Sequence, residues 1–420
     1  MKRVLLMISI LLILLSIFSG CEINKPNNAS SYLDERSAVL SAVKTKLTLL
    51  FYYEGQERYS VIDNFCNGFN SEQKEIEVIP EFVPFEDLKK RILTGFAEGK
   101  PPDIVIFDKP DQAYLADKGI LADITEQIEG WTDKNQYYEG SIKSCMYHDR
   151  IYGMPLGENC LELFYNKKMF ENEKVNPPET WDELRIVAKK LSNHGIKGIG
   201  ISAQDSEQGM FQFLHWFFSA GASIEKLNSP EAIKAFSFLA DLVKDGSMNR
   251  EVINWSQADV MKQFATEKIA MMLNGPWQIP ELKLKAPNLD YGVSQIPRDK
   301  KSVTILGGEN IGITEAQNKD AAFKFMMYVC RLENVKSFSR AMGYFPSRKD
   351  AATDELSIDN SVVKVFVDGM QHAIPRGPNP KWPEISKVVT KALHEVLTQI
   401  KTPEAAARDA QSSMEKLLKK

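Results

Sequence analysis

Cysteine is scarce in this chain. Of the five present, Cys66, Cys145, Cys160 and Cys330 stand far apart, with no Cys-x-x-Cys pair. That scatter excludes a zinc ribbon or a thioredoxin-like redox pair, and a chain of this length needs no disulfide framework to hold a core. The four read as small buried apolar residues; one disulfide stays open, with no pairing indicated by spacing. Histidine is equally thin: His148, His194, His215, His372 and His394 share no ligand spacing, so no metal is expected. No phosphate loop, GxSxG elbow or HExxH helix occurs, and Gly195-Ile196-Lys197-Gly198-Ile199-Gly200 has the wrong spacing for a dinucleotide turn. No catalytic residues and no cofactor are expected, and the chain does not read as an enzyme. Positive charge is not in excess, since the net charge is −4, which argues against a nucleic-acid partner. Beyond Leu15 no apolar run is long enough to cross a bilayer.

What is present begins at the amino terminus. Lys2 and Arg3 precede an apolar run over 4–18, and Phe18-Ser19-Gly20-Cys21 follows. A basic start, a short apolar core and small residues before a cut describe a secretory signal over 1–20. The cut site resembles a bacterial lipobox, with Phe18 where leucine is usual, and implies that Cys21 becomes a lipidated first residue. Acyl chains contribute roughly 0.8 kcal/mol per buried methylene, so two or three hold a soluble domain on a membrane without a spanning helix. The polar stretch through Pro26-Asn27-Asn28-Ala29-Ser30-Ser31 reads as a lipid-anchored tether over 21–44. The expected location is extracytoplasmic, on the outer face of a bacterial cytoplasmic membrane.

The remainder has an ordinary globular composition, 43% hydrophobic and 26% charged, which excludes a largely disordered chain. Its length suits two or three domains. Order begins with Leu47-Thr48-Leu49-Leu50-Phe51-Tyr52, a buried-strand pattern. A helix to about Phe69, a strand over 76–82, a helix with Phe85, Leu88, Ile92 and Phe96 at spacings of three and four, and a strand over 103–107 follow. Strand and helix in alternation imply right-handed crossovers and a mainly parallel sheet. Further on, Thr180 and Glu183 form a capping-box signature ahead of the stripe Trp181, Leu184, Val187, Ala188 and Leu191. Helices are predicted over 208–219, 230–244, 256–266, 320–332, 385–400 and 403–418, the last with Pro403 in its first turn.

Several segments in order carry a resemblance. They are Pro101-Pro102-Asp103-Ile104-Val105 with Leu115-Ala116-Asp117-Lys118-Gly119; Ile151-Tyr152-Gly153-Met154-Pro155; Phe164-Tyr165-Asn166-Lys167; Leu273-Asn274-Gly275-Pro276-Trp277; Gly343-Tyr344-Phe345-Pro346-Ser347-Arg348; and Pro378-Asn379-Pro380-Lys381-Trp382. Together they resemble the extracellular solute-binding proteins of ABC importers, in the sugar-binding branch that includes maltodextrin-binding protein. The resemblance implies an α/β, two-lobed periplasmic-binding-protein-like fold of type II. Each lobe is expected to be a mainly parallel sheet flanked by helices, with the ligand cleft between lobes. It also implies a division into an N-terminal lobe of 45–157 with 308–357 and a C-terminal lobe of 158–307 with 358–420, with crossings near 156–161, 305–308 and 355–375. The implied partners are a small carbohydrate, the transmembrane permease subunits of an ABC importer and a separate ATPase. The protein itself would be a monomer that captures and delivers without covalent chemistry.

A pyranose has apolar C–H faces and an equator of hydroxyls, so its receptor needs aromatic plates beside planar polar groups. Carried over from the resemblance, Trp277 and Trp382 stand at stacking positions, with core packing as the alternative reading, and Phe211 and Gln212 fall near a further aromatic contact. Asp108 and Asp111 follow the 103–107 strand at its carboxyl end, where ligands of open α/β sheets sit; helix-start carboxylates are the alternative reading. The maltodextrin-binding relative has tryptophan at Asp108 and a carboxylate at Asn159, and both departures point to a different sugar. Glu309, Tyr344 and Arg376 complete the candidates, with structural or solvent-exposed roles as the alternative. Two other functions remain open: a receptor for a polyamine or peptide, and a surface glycosidase, which needs two carboxylates flanking a bond.

Overall fold

The computed structural model describes residues 44–352 and 361–419. The expected signal peptide and the Cys21 lipidation site lie outside these residues, as do the tether but for its last residue and 353–360, which takes in the start of the expected third crossing. Among the described residues no helix is long and apolar enough to cross a membrane.

Strand β1 (Thr45–Phe51) has Leu47, Leu49, Leu50 and Phe51 wholly buried. Burial on both faces marks it as a central strand. It pairs in parallel with β2 (Ile76–Phe82) on one side and β3 (Ile104–Asp108) on the other. Parallel neighbours require crossovers, supplied by helices Gln56–Glu72 and Phe85–Ala97. In the second helix Leu88 and Ile92 are buried as the spacing predicts, while Phe96 is exposed. The last inward position belongs to Gly95, where a Cβ would stand 2.8 Å from the Lys100 carbonyl.

A short hairpin, β4 (Met146–Tyr147) with β5 (Arg150–Ile151), leads into β6 (Met154–Asn159). After Cys160 and Leu161 the same extended run becomes β7 (Glu162–Asn166), which belongs to a second sheet together with β8 (Lys197–Gly200), β9 (Ile269–Asn274) and β10 (Tyr291–Ser294). The chain then returns to the first sheet as β11 (Thr304–Ile313), followed by β12 (Phe345–Pro346) and β13 (Ala373–Pro375). The order in the first sheet is β12-β6-β11-β3-β1-β2, with β13 on β11; in the second it is β10-β7-β9-β8.

The α/β class and two-sheet plan agree with the expectation, and the strand directions refine it. β11 runs antiparallel to both β3 and β6, and β7 antiparallel to β9 and β10, so each sheet is mixed. The parallel pairs β1·β2, β1·β3 and β8·β9 are the strand–helix–strand parts, and β13 adds to β11 in parallel. β11 and β6 are the strands by which the chain moves between sheets, and a strand arriving from the other sheet has no crossover helix to fix its direction.

Helix Trp181–Leu191 buries the predicted stripe of Trp181, Leu184, Val187, Ala188 and Leu191. Thr180 Oγ1 accepts from the Glu183 N–H at 3.3 Å, and the Glu183 carboxylate accepts from the Glu179 N–H at 2.8 Å. The carboxylate thus reaches one residue beyond the usual capping-box donor. Cys66, Cys145, Cys160 and Cys330 are all buried free thiols, as small apolar residues of a core. The segment Ser347-Arg348 is structural: Ser347 Oγ donates to the Pro155 carbonyl at 2.7 Å, and the buried Arg348 guanidinium holds Asp133, Asp350 and the Cys330 carbonyl.

Candidate functional site

Parallel strands leave their carboxyl ends open to solvent, and the chain uses three such ends to build one cavity. Tyr52 and Tyr53 continue β1, Asp108 ends β3, and Trp277 follows β9 in the second sheet. Glu309 lies in β11, directly opposite Asp108. Glu207, Gln208 and Phe211 come from the first turns of helix Glu207–Ser219, on the side of the second sheet. Tyr344 enters just before β12 and Arg376 just after β13. The cavity has a volume of about 160 Å3. Across it the Gln208 amide donates to the Glu86 carboxylate at 2.8 Å, joining the two sides.

One wall is aromatic. The Trp277 indole is nearly parallel to the Phe211 ring, at 20° with centroids 6.4 Å apart, and edge-on to Tyr344 at 6.2 Å. Gly275 makes this position available: a Cβ there would stand 1.9 Å from the indole. The Arg376 guanidinium covers the Phe211 ring at 4.1 Å from its centroid, a cation–π contact.

The floor is an ionic knot. Arg376 Nη1 and Nη2 each donate to one Asp108 oxygen at 2.7 Å, and Nη1 also donates to Glu207 Oε1 at 2.9 Å. Glu207 further accepts from the Trp382 indole N–H at 3.0 Å and from Ser386 Oγ at 2.6 Å. Burial raises the Glu207 carboxyl above its ordinary range, against the pull of Arg376. Burial works against the Arg376 charge, and Asp108 and Glu207 outweigh it, so the guanidinium is held more firmly protonated than usual.

The other polar groups are less fully engaged. Tyr52 and Tyr344 hydroxyls both donate to Glu309 Oε1, at 2.7 and 3.0 Å. Glu309 Oε2, Asn159 Oδ1 and Gln257 Nε2 are buried with no hydrogen-bond partner among the described residues. Burial pushes the Glu309 carboxyl up to about 8.

Asp108, Asn159, Phe211, Trp277, Glu309, Tyr344 and Arg376 are thus brought to one cavity. Trp382, Asp111 and Gln212 are not among its lining residues. Trp382 starts helix Trp382–Leu397 and is only 4% exposed. The helix directs the indole inward beneath Glu207. Asp111 sits in the turn after β3, paired with Lys89 at 2.7 Å, its carboxyl raised by burial to about 6. Gln212 is wholly buried, accepting from the Ser202 N–H at 2.7 Å and donating to the Leu273 carbonyl at 3.0 Å, a tie within the second sheet's core. Sequence reasoning missed Tyr52, Tyr53 and Glu207. The tyrosines were within reach of the rule that picked out Asp108, since they too follow a parallel strand's carboxyl end.

Gly308 shapes this floor. Its φ of +125° lies where L side chains are strained, beside the register shift in β11, and a Cβ would stand 2.2 Å from the Gly157 carbonyl oxygen. Gly308→Ala is expected to destabilise the fold by about 1–3 kcal/mol, read as a lower urea midpoint with an unchanged slope.

Residues 64–363 match the family model of bacterial extracellular solute-binding proteins. The chain belongs to that family. As a solute-binding protein it acts outside the cytoplasm and binds without transforming what it holds. It is 26% identical over 336 residues to a maltotriose-binding protein of Pyrococcus abyssi, covering 77% of this chain and 71% of that one. It is 22% identical over 412 residues to a galactooligosaccharide-binding protein of Bacillus subtilis, covering 94% and 95%. Among solved structures, an ABC transporter solute-binding protein of Thermotoga lettingae bound with α-D-tagatose matches with a TM-score of 0.82 at 26% identity, covering 89% of this chain and all of that one.

Proposed function

We propose that this solute-binding protein takes a sugar or short oligosaccharide into the cleft lined by Trp277 and delivers it to the permease subunits of an ABC importer driven by a separate ATPase. The observation that carries the reading is an aromatic wall set beside buried polar atoms that lack partners. Such atoms are costly until a ligand supplies the missing bonds, and a pyranose offers hydroxyls for them together with a C–H face for the indole. The ligands of the Pyrococcus, Bacillus and Thermotoga relatives support the same class. Trp382 and Gln212 would support the cleft from behind, and Asp111 would sit outside it. The lobes would be 45–157 with 308–357 and 158–307 with 358–420, the latter holding all four strands of the second sheet while its β13 pairs with β11 of the first. The lipid anchor rests on Phe18-Ser19-Gly20-Cys21, and one monomer would serve one permease.

A cationic ligand is less well served. Asp108 and Glu207, two of the carboxylates lining the cleft, are already held by Arg376, and Asp111 outside it by Lys89. A thermal-shift screen against D-tagatose, maltotriose, galacto-oligosaccharides, other mono- and oligosaccharides and spermidine tests the reading. At a hundred times its dissociation constant a true ligand adds about 2.7 kcal/mol, and a sugar is expected to give that saturable rise. A response to spermidine with silence toward every carbohydrate would overturn the sugar assignment and leave the receptor class intact.

A further inference from the structure

Glu309 and Asp108 are direct cross-strand partners on β11 and β3, so their carboxyl groups leave the same face of the sheet. Like charges placed directly opposite each other repel, and both of these residues are buried. Arg376 resolves the conflict for Asp108 alone by occupying both of its oxygens. Glu309 has no ion-pair partner among the described residues and receives two tyrosine hydroxyls, both on Oε1. Its Oε2 is buried and unpartnered.

Two donors on one oxygen and none on the other is the pattern of a carboxylic acid. The carbonyl oxygen has two acceptor sites, both filled, and the second oxygen carries the proton. As a carboxylate, Glu309 would instead hold a bare anionic oxygen away from water. We propose that Glu309 serves in the cleft as a neutral carboxylic acid whose Oε2–H donates to an acceptor oxygen of a neutral polyhydroxy ligand. This inference rests on the carbohydrate reading of the same cleft and adds the selection: an oxygen acceptor is favoured at this point, and an ammonium group finds no anion to meet.

The surroundings agree. Just after β1 come Tyr52 and Tyr53; at the end of β3 and just beyond it, Asp108 and Lys109; from β6, Glu158, which pairs with Lys109; from helix Gln56–Glu72, Arg58, which pairs with Glu281; Tyr344 and Arg376 complete the ring. Burial is the main cause of the raised Glu309 value of about 8, with Asp108 adding to it and the two tyrosines and Lys109 working against it. The tyrosine hydroxyls are themselves held well above their ordinary value by burial and stay protonated through the range where Glu309 titrates.

The sign of the pH effect follows. A glutamate loses its proton near pH 4.3 in the unfolded chain, and near 8 in the fold. The stability that goes with protonated Glu309 is fully present below the unfolded value and is lost as pH rises toward 8. Glu309→Gln is neutral throughout, and its amide N–H2 takes the place of the Oε2–H. Two readouts judge the proposal. In thermal melts without ligand, the melting temperature of the variant should gain on the wild type steadily from pH 4.5 to 8. In titrations with maltotriose and D-tagatose, wild-type affinity for whichever sugar binds should fall about ten-fold between pH 7 and 9, while the variant stays flat. A melting gap that is constant or closes with rising pH would mean an ionised Glu309 and overturn the proposal, whatever binds. Loss of sugar binding in the variant together with a pH-independent wild type would overturn it too. If neither sugar binds, the carbohydrate reading is what fails, and the melts still decide the state of Glu309.

Discussion

Trp277→Ala is expected to weaken sugar binding by roughly a hundred-fold, a loss of about 2–3 kcal/mol, as for a buried aromatic hot spot. The indole is a broad apolar surface of the cavity with no cation over it among the described residues; Phe211 next to it already carries the Arg376 guanidinium. Truncation removes the plate on which a C–H face would lie and also the neighbour that Phe211 and Tyr344 pack against. Some loss of stability will accompany it, since the residue is 7% exposed. Trp277→Phe separates the two effects by restoring a ring and most of the packing, and should recover a substantial part of the affinity. Calorimetric titration with the sugar found in the screen gives the affinities, and circular-dichroism melts of the same samples give the stabilities. An unchanged dissociation constant for Trp277→Ala would remove the stacking role.

Arg376→Leu is expected to have the largest effect on the fold, a destabilisation of about 3–5 kcal/mol, because it leaves Asp108 and Glu207 buried without their cation. Breaking such a pair on one side costs more than the intact pair contributes, since the orphaned charges remain out of water. Restoring neutrality should therefore rescue much of the loss: Arg376→Leu combined with Asp108→Asn and Glu207→Gln should stand well above the single variant in urea denaturation. Lowering the pH should narrow the gap between wild type and the single variant, as the two carboxylates take up protons. The knot also has a mechanical consequence. Asp108 ends a strand of the first sheet and Glu207 begins the helix that Gln212 bonds to β9 of the second, so the guanidinium ties the two sides of the cleft, together with the Gln208–Glu86 bond. Its removal is expected to leave the cleft more open, with a larger radius of gyration in small-angle scattering.

Much of this fold is written locally. The strand over 76–82 and the helix stripe from Trp181 to Leu191 coincide with their predicted residues, because alternation, helical spacing and a threonine cap each act within a few residues. The direction of β11 is not local: its partners lie about two hundred positions earlier, in 104–108, and about a hundred and fifty earlier, in 154–159. No short pattern distinguishes an incoming antiparallel strand from another parallel one. The cleft shows the same division. Asp108 ends a strand and could be placed by the carboxyl-end rule, whereas Trp277 is placed by the resemblance. Glu207 acquires its part from Arg376, Trp382 and Ser386, all more than 160 residues away. Trp382 illustrates the reverse: the proline-rich turn before it indicates a chain on the surface, and the helix that starts at Trp382 turns the indole into the interior. Gln212, one residue from the lining Phe211, points into the core because successive helix positions are about 100° apart.

The most direct test of the account is a crystal structure of the protein grown with a saturating concentration of the sugar that gives the largest thermal shift. The account predicts one ligand between the two sides of the cleft, a ring face on Trp277, hydroxyls on Asn159 and Gln257, and an oxygen within hydrogen-bond distance of Glu309 Oε2. A sugar seated elsewhere, with the Trp277 face bare and those buried polar atoms still unpartnered, would contradict it.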